Sequence, residues 1–222
     1  MDQSNSKLVR DQFKANKISW KNSSIYGLSI DQNNQPIPWF SYPAIDYLKN
    51  KLQKNFTIFE YGCANSSLFF SKYCQRVISL ETNQIWHEIL CQKIIKEHHF
   101  LEQKKISQTP LNLPCSKFKN DFSEIEIILM SDGLTNPDYQ NYANLFKEKF
   151  DVILIDSLKR YQCAINAINA LKQRGIIILD DSQRSNYKKI FDFMAINNFQ
   201  KIDFLGIAPG QLSVKNTTIF FQ

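Results

Sequence analysis

The feature that most limits what this chain can fold into is a repeated change of hydrophobic period that begins at Phe56. Short apolar runs at Thr57–Tyr61, Arg76–Leu80, Ile125–Met130, Val152–Asp156 and Ile176–Leu179 read as strands. Between them lie segments with apolar residues at helical spacing. These are Ser66–Cys74; Gln84–His98, with Ile85, Ile89, Leu90 and Ile94 on one side; Tyr139, Tyr142, Ala143 and Phe146; and Ala164, Ala167, Ile168 and Leu171. Tyr187, Ile190, Phe191 and Met194 give one more helix, and strand-like runs at Lys201–Leu205 and Thr217–Phe221 close the chain with no helix between them. Strands alternating with helices predict an α/β fold with a parallel sheet covered on both faces. The expected architecture is a seven-stranded, mostly parallel, doubly wound sheet with helices on both faces and a C-terminal antiparallel hairpin. Leu101–Ser123, polar and holding Pro110 and Pro114, gives no readable period.

The front of the chain reads differently. Residues 1–35 form a polar N-terminal extension, with one helical turn expected around Leu8, Val9 and Phe13. Ser24–Ile30, Asp31–Gln35 and Pro36–Trp39 read as a strand, a polar turn and an extended return, and Pro43–Leu52 as a helix. The folded domain is expected to span residues 36–222. A length of 222 residues suits one such domain, and 17 Phe with 9 Tyr supply bulk for its core.

Composition removes several functional classes. The formal charge of +6 is spread along the chain without a dense Arg/Lys block, which fits solvated surface better than a nucleic-acid track. Five cysteines without a CxxC pair argue against both a disulfide framework and a zinc site. No apolar run is long enough to span a bilayer, and the first 17 residues lack a secretory apolar region. The expectation is a cytoplasmic protein with reduced thiols and a small-molecule substrate rather than nucleic acid or membrane. A homodimer is compatible with the chain, which specifies no partner.

Chemistry concentrates in Phe59-Glu60-Tyr61-Gly62-Cys63-Ala64-Asn65-Ser66-Ser67. An apolar strand ends in an acidic residue, and small residues then open a helix. Small side chains let the backbone turn sharply and approach a ligand closely, and the helix start offers oriented N–H donors. Glu81 ends the next strand about 20 residues further on, where nucleotide-binding folds place a carboxylate on ribose hydroxyls. A turn rich in small polar residues and a strand-end glutamate are each common in α/β proteins; together they point to a nucleoside-containing cofactor. Asp156, Asp180 and Asp181 end the two later parallel strands and can converge on one rim. Three such oxygen ligands could hold Mg²⁺. The favoured alternative has Asp156 positioning a substrate or taking its proton while Asp181-Ser182 caps the next helix. Arg160 and Arg184 could bind an anionic substrate or lie on the surface. Trp39 could cover a ligand or pack in the core. His98-His99 has no third ligand near it, and Cys163 has no accompanying motif.

The segment IFEYGCANSSLFFSKYCQRVISLE resembles motif I and the acidic second-strand motif of class I S-adenosylmethionine-dependent methyltransferases. It is similar to the Glu-x-Gly-x-Gly-Asn-Ser-Ser form of a group of small members. PIPWFSYPAIDYL before it, and FDVILIDSLKRYQCAINAINALKQRGIIILDDSQRSNY with the tail after it, extend the resemblance over most of the chain from Pro36. The resemblance implies a Rossmann-like domain with S-adenosylmethionine as cofactor. It places Glu60, Gly62, Ala64, Asn65 and Ser66 at the methionine end, Glu81 on the ribose, Ser131-Asp132 near the adenine and Asp156 at the transfer site. Asp156, Arg160 and Asp181 are then the catalytic candidates, and no metal ligands are assigned. Ala64 departs from the pattern's glycine and requires negative φ, and Asp156-Ser-Leu-Lys-Arg160 departs from the Asp-Gly-Arg-x-Arg of similar proteins. Two other readings stay open: a nicotinamide-dependent oxidoreductase, which would need a phosphate-gripping GxGxxG turn, and a cofactor-binding partner subunit without catalysis.

Overall fold

The computed structural model describes residues 3–97, 102–106, 109–119 and 123–222. Its centre is five parallel strands: β1 (Thr57–Tyr61), β2 (Arg76–Glu81), β5 (Glu124–Leu129), β6 (Phe150–Ile155) and β7 (Leu171–Leu179). Adding β3 (Glu102–Ile106), β4 (Cys115–Lys119), β8 (Gln200–Ile207) and β9 (Val214–Phe221) gives the order β3-β4-β5-β2-β1-β6-β7-β9-β8. The terminal β8–β9 hairpin is antiparallel, as its missing helix requires. Among the described residues the sheet has nine strands where seven were expected, because the segment 101–123 supplies the antiparallel pair β3 and β4 beside β5. Its alternation is carried by lysines, Cys115 and Phe118 rather than by branched apolar residues, so it gave no strand signal.

Side chains alternate across a strand, so each strand feeds two cores. Phe59, Tyr61, Ile78, Leu80, Ile153, Ile155, Ile177 and Leu179 enter one of them, with α6 (Arg160–Ala170) and α7 (Lys188–Ile196). The 3-10 helix Tyr139–Leu145 stands on this face where an α-helix was expected. Ile58, Val77, Val152, Leu154, Ile176, Ile178 and Ile219 enter the other core, against α3 (Tyr42–Lys51) and α4 (Asn65–Ser71). All seven residues of α4 are buried. Burial of Leu68, Phe69 and Phe70 stabilises by roughly 2 kcal/mol each, which anchors the loop before α4. On α5 (Gln84–Glu97) the inward residues are Leu90, Cys91 and Ile94, whereas Ile85 and Ile89 are exposed.

Two helices, α1 (Gln3–Ala15) and α2 (Lys17–Tyr26), replace the single turn expected at the front, and α2 takes up the start of the predicted strand Ser24–Ile30. Only Ile30 keeps a strand-like pairing, one bridge to Pro36. Val9, Phe13 and Trp20 pack against the second core. Gln12 also serves the open edge of the sheet: its Oε1 accepts from Ile207 N at 2.8 Å and its Nε2 donates to Leu205 O at 3.2 Å. Covering edge groups in this way blocks pairing with another chain. The turn at Asp31–Gln35 is as read, with Asp31 Oδ1 accepting from Asn33 N and Gln35 N, both at 2.8 Å. The five cysteines are buried and unbonded to one another. Among the described residues no helix is long and apolar enough to cross a membrane. His98-His99 lies outside the described residues.

Candidate active site

The alternation that divides the cores also builds the site. On the face carrying Ile58, Val77, Val152 and Ile176, the positions two and four residues on are Glu60; Ser79 and Glu81; Leu154 and Asp156; and Ile178 and Asp180. The strands are parallel, so these side chains climb toward one rim. A cavity of about 260 Å³ opens there, lined by Trp39, Gly62, Cys63, Ala64, Ser66, Glu81, Trp86, Leu154, Asp156 and Ser157. That is near the low end of ligand-sized pockets, which run from roughly 300 to 1,000 Å³.

Glu60 lies beneath this cavity, fully buried. Ser66 Oγ donates to it at 2.9 Å and Ser79 Oγ at 2.5 Å, with a further bond from Ser67 Oγ. Ser79 is its register partner on β2. Burial pushes its pKa up to about 7 against the pull of the three hydroxyls. Because the folded value lies above the unfolded one, the folded state binds the extra proton. The group's stabilising contribution is complete below about pH 4.5 and is lost as pH rises to 7, a change of about 3 kcal/mol. Glu60→Gln is expected to flatten this part of the stability profile, checked by urea unfolding of both proteins between pH 4.5 and 8. Parallel profiles would contradict the assignment.

Gly62 turns the chain out of β1 at φ +99°. A Cβ there would lie 3.0 Å from Asp156 O and 3.3 Å from Ser157 Cβ, so any side chain is strained in conformation and crowded. Gly62→Ala is expected to cost about 2 kcal/mol in urea unfolding, since positive-φ strain of this kind costs 1–3. Ala64, at φ −169°, is extended and accommodates its methyl without strain. Asn65 is engaged at both ends of its amide: Nδ2 donates to Ser29 O at 2.6 Å and Oδ1 accepts from Lys93 Nζ at 2.9 Å. It ties the loop to the front of the chain rather than presenting free donors to the cavity.

Glu81 points into the loop. Its Oε2 accepts from Cys63 N at 2.9 Å and its Oε1 from Thr82 N and Asn83 N, each at 2.8 Å. Three backbone donors hold the carboxylate at the cavity wall. Asn83 also starts α5, accepting from Trp86 N at 3.1 Å, and Trp86 lines the cavity together with Trp39. Trp39 donates from Nε1 to Pro209 O at 3.0 Å. Asp132 lies outside the cavity lining, on an exposed turn where Gly133 packs against Thr82, too close for a Cβ.

Asp156 ends β6 with about one third of its side chain open to the cavity and protein on its other sides. Burial and the neighbouring Asp180 raise its pKa, while Arg160 and Lys215 oppose the rise. Arg160 Nη2 donates to Asp156 Oδ1 at 2.7 Å, Nε donates to Ser157 O at 3.2 Å and Nη1 donates to Asp180 O. Its guanidinium also covers the Tyr187 ring at 5.6 Å. Arg160 is thus a clamp on the two strand ends, each of its three nitrogens donating to one of them, and Arg184 at the rim is paired with Asp181. Asp180 is buried, bonded to Lys215 Nζ at 2.5 Å and Thr217 Oγ1 at 2.8 Å. Asp181 Oδ1 lies 2.9 Å from the same Lys215 Nζ.

Asp181-Ser182 does not cap the following helix. Ser182 Oγ bonds Asn216 O and Thr218 Oγ1 across the hairpin, and α7 begins after Tyr187 without a side-chain cap. Lys215 and Trp86 were missed by sequence reasoning. Lys215 shares the parity of Thr217 and Ile219 on β9, which was a usable signal. Trp86 follows Asn83 at capping distance, which was another.

A mostly parallel sheet with this order, a cavity over its first strand and a final antiparallel hairpin define the fold of class I S-adenosylmethionine-dependent methyltransferases. Solved structures agree. A methyltransferase-like protein from Silicibacter pomeroyi superposes with a TM-score of 0.56 at 16% identity, covering 85% of this chain and 90% of its own. A methyltransferase from Pyrococcus furiosus gives 0.52 at 16% identity, with 96% of each chain covered. An O-methyltransferase from Bacillus cereus, in complex with S-adenosylhomocysteine (SAH), gives 0.53 at 16% identity, covering 100% of this chain and 92% of its own. The sequence matches no family model and no curated protein.

Proposed function

We propose that the chain is an S-adenosylmethionine-dependent methyltransferase acting on a small-molecule acceptor. The observation that carries this reading is the convergence of Gly62, Glu81, Trp86, Trp39 and Asp156 on one cavity at the ends of β1, β2 and β6. Glu81 stands at the wall with an acceptor site left on Oε2, suited to a ribose hydroxyl. Gly62 keeps the backbone bare where a ligand approaches, and the two tryptophans offer flat apolar surface. The residues after Gly62 lack a GxGxxG turn, so a pyrophosphate has no cradle of the kind a nicotinamide cofactor uses. The fold likeness, including a neighbour with bound SAH, supports the same cofactor.

When bound, that cofactor supplies an electrophilic methyl group on a sulfonium. The protein's part is to align acceptor and methyl and to exclude water. Asp156, its pKa raised and its position held by Arg160, can accept a proton from a hydroxyl acceptor near neutral pH. Trp39 and Trp86 are two of only three tryptophans in the chain. SAH is therefore expected to change intrinsic fluorescence saturably, with most of the change lost in Trp86→Phe. An unchanged spectrum throughout the titration would sink the placement of the cofactor beside Trp86.

A further inference from the structure

Three carboxylates at one strand-end rim invite a divalent cation, yet a cation of the chain's own stands among them. Lys215 comes from β9, on the face that carries Thr217 and Ile219, and only 8% of its side chain is exposed. Its ammonium has three protons and three acceptors: Asp180 Oδ2 at 2.5 Å, Asp181 Oδ1 at 2.9 Å and Trp39 O at 2.9 Å. Asp156 is paired with Arg160, and Asp181 also with Arg184. Three carboxylates thus face three cationic side chains.

A hard divalent ion takes six or more oxygen ligands at about 2.0–2.6 Å. Here the oxygens of Asp180 and Asp181 that face each other are already filled by Nζ, and Thr217 Oγ1 holds the other Asp180 oxygen at 2.8 Å. An added ion would have to displace a buried ammonium. These residues do not fit a metal.

We propose that Lys215 is a built-in cation that takes the place of a divalent metal, fixing the β7 strand end and the Trp39 side of the cavity so that the rim is organised without metal. Through Trp39 O the same ammonium joins the Pro36–Trp39 segment to the hairpin, so it positions a cavity wall as well as two carboxylates. The inference rests on charge and geometry and holds whether or not the chain transfers a methyl group.

Mn²⁺ tests it, followed by its free-ion EPR signal and by thermal unfolding. Wild-type protein is expected to leave Mn²⁺ free up to about 1 mM and to unfold at an unchanged temperature. Lys215→Met keeps the apolar stem and removes the ammonium. It is expected to unfold at lower temperature, to bind one Mn²⁺ at least tenfold more tightly than wild type, and to recover stability when the ion is added. Stoichiometric Mn²⁺ binding by the wild type that Asp181→Asn abolishes would overturn the proposal. So would a Lys215→Met protein with wild-type stability and no affinity for the ion. Should that variant fail to fold with and without Mn²⁺, the wild-type titration decides alone.

Discussion

Glu81→Ala is expected to weaken binding of SAH by about 10- to 150-fold. The carboxylate has an acceptor site left on Oε2 for a ribose hydroxyl, and a bond to a charged group contributes roughly 1.5–3 kcal/mol. Loss of that bond corresponds to a factor of about 10 to 150. Alanine also frees Cys63 N, Thr82 N and Asn83 N, which the carboxylate now holds at 2.8–2.9 Å. Part of the loss could therefore come from a loosened loop. Glu81→Gln separates the two effects, since the amide oxygen can still hold backbone donors while the charge is gone. Isothermal calorimetry on both variants reads the result. Binding of SAH by Glu81→Ala at wild-type affinity would remove Glu81 from the cofactor site.

Asp180→Ala is expected to be the most destabilising single change at the rim. Asp180 is 3% exposed in its side chain and Lys215 8%, so the pair is buried. Removing Asp180 leaves the buried ammonium one carboxylate short, with only Asp181 Oδ1 and Trp39 O as acceptors; the loss is expected near the low end of the roughly 3–5 kcal/mol that breaking a buried pair costs. For a chain of this length each kilocalorie lowers the melting temperature by roughly 2–4 °C, so a fall of about 10 °C is expected by calorimetry. Thr217 would also lose the acceptor for its hydroxyl. The doubly substituted Asp180→Ala, Lys215→Met protein should be more stable than Asp180→Ala alone, because no buried ammonium short of a carboxylate remains. A fall of less than about 2 °C in the single variant would contradict the pairing.

Both predictions rest on residues with unequal visibility in the sequence. The parallel centre of the sheet was legible because β1, β2, β5, β6 and β7 are short apolar runs separated by helical spacing. Glu60, Gly62 and Glu81 were legible because their order along the strand-turn-helix unit is local. β3 and β4 escaped because their alternation is carried by lysine and serine. The helices α1 and α2 escaped because Asn, Ser and Lys dilute their apolar residues, and their stability comes from packing Val9, Phe13 and Trp20 on a distant strand pair. Helical spacing puts Ile85, Ile89, Leu90 and Ile94 on one side of α5 but does not say which part of that side turns inward, and Ile85 and Ile89 are exposed. Asp181-Ser182 resembles a helix start, but the hairpin it meets lies 34 residues away for Ser182, and no local pattern reports that. Arg160 looked free for an anion because the carbonyls and carboxylate that occupy it come together only once β6 and β7 lie side by side. The rim is therefore a product of tertiary structure, while the loop after β1 is largely legible in local sequence.

The most direct test of the central claim is calorimetric titration of the intact protein with S-adenosylmethionine, with NADH titrated in parallel. One site per chain with micromolar affinity for the sulfonium cofactor is expected, with no heat attributable to NADH. A folded protein that ignores S-adenosylmethionine, or that binds NADH in its place, would contradict it.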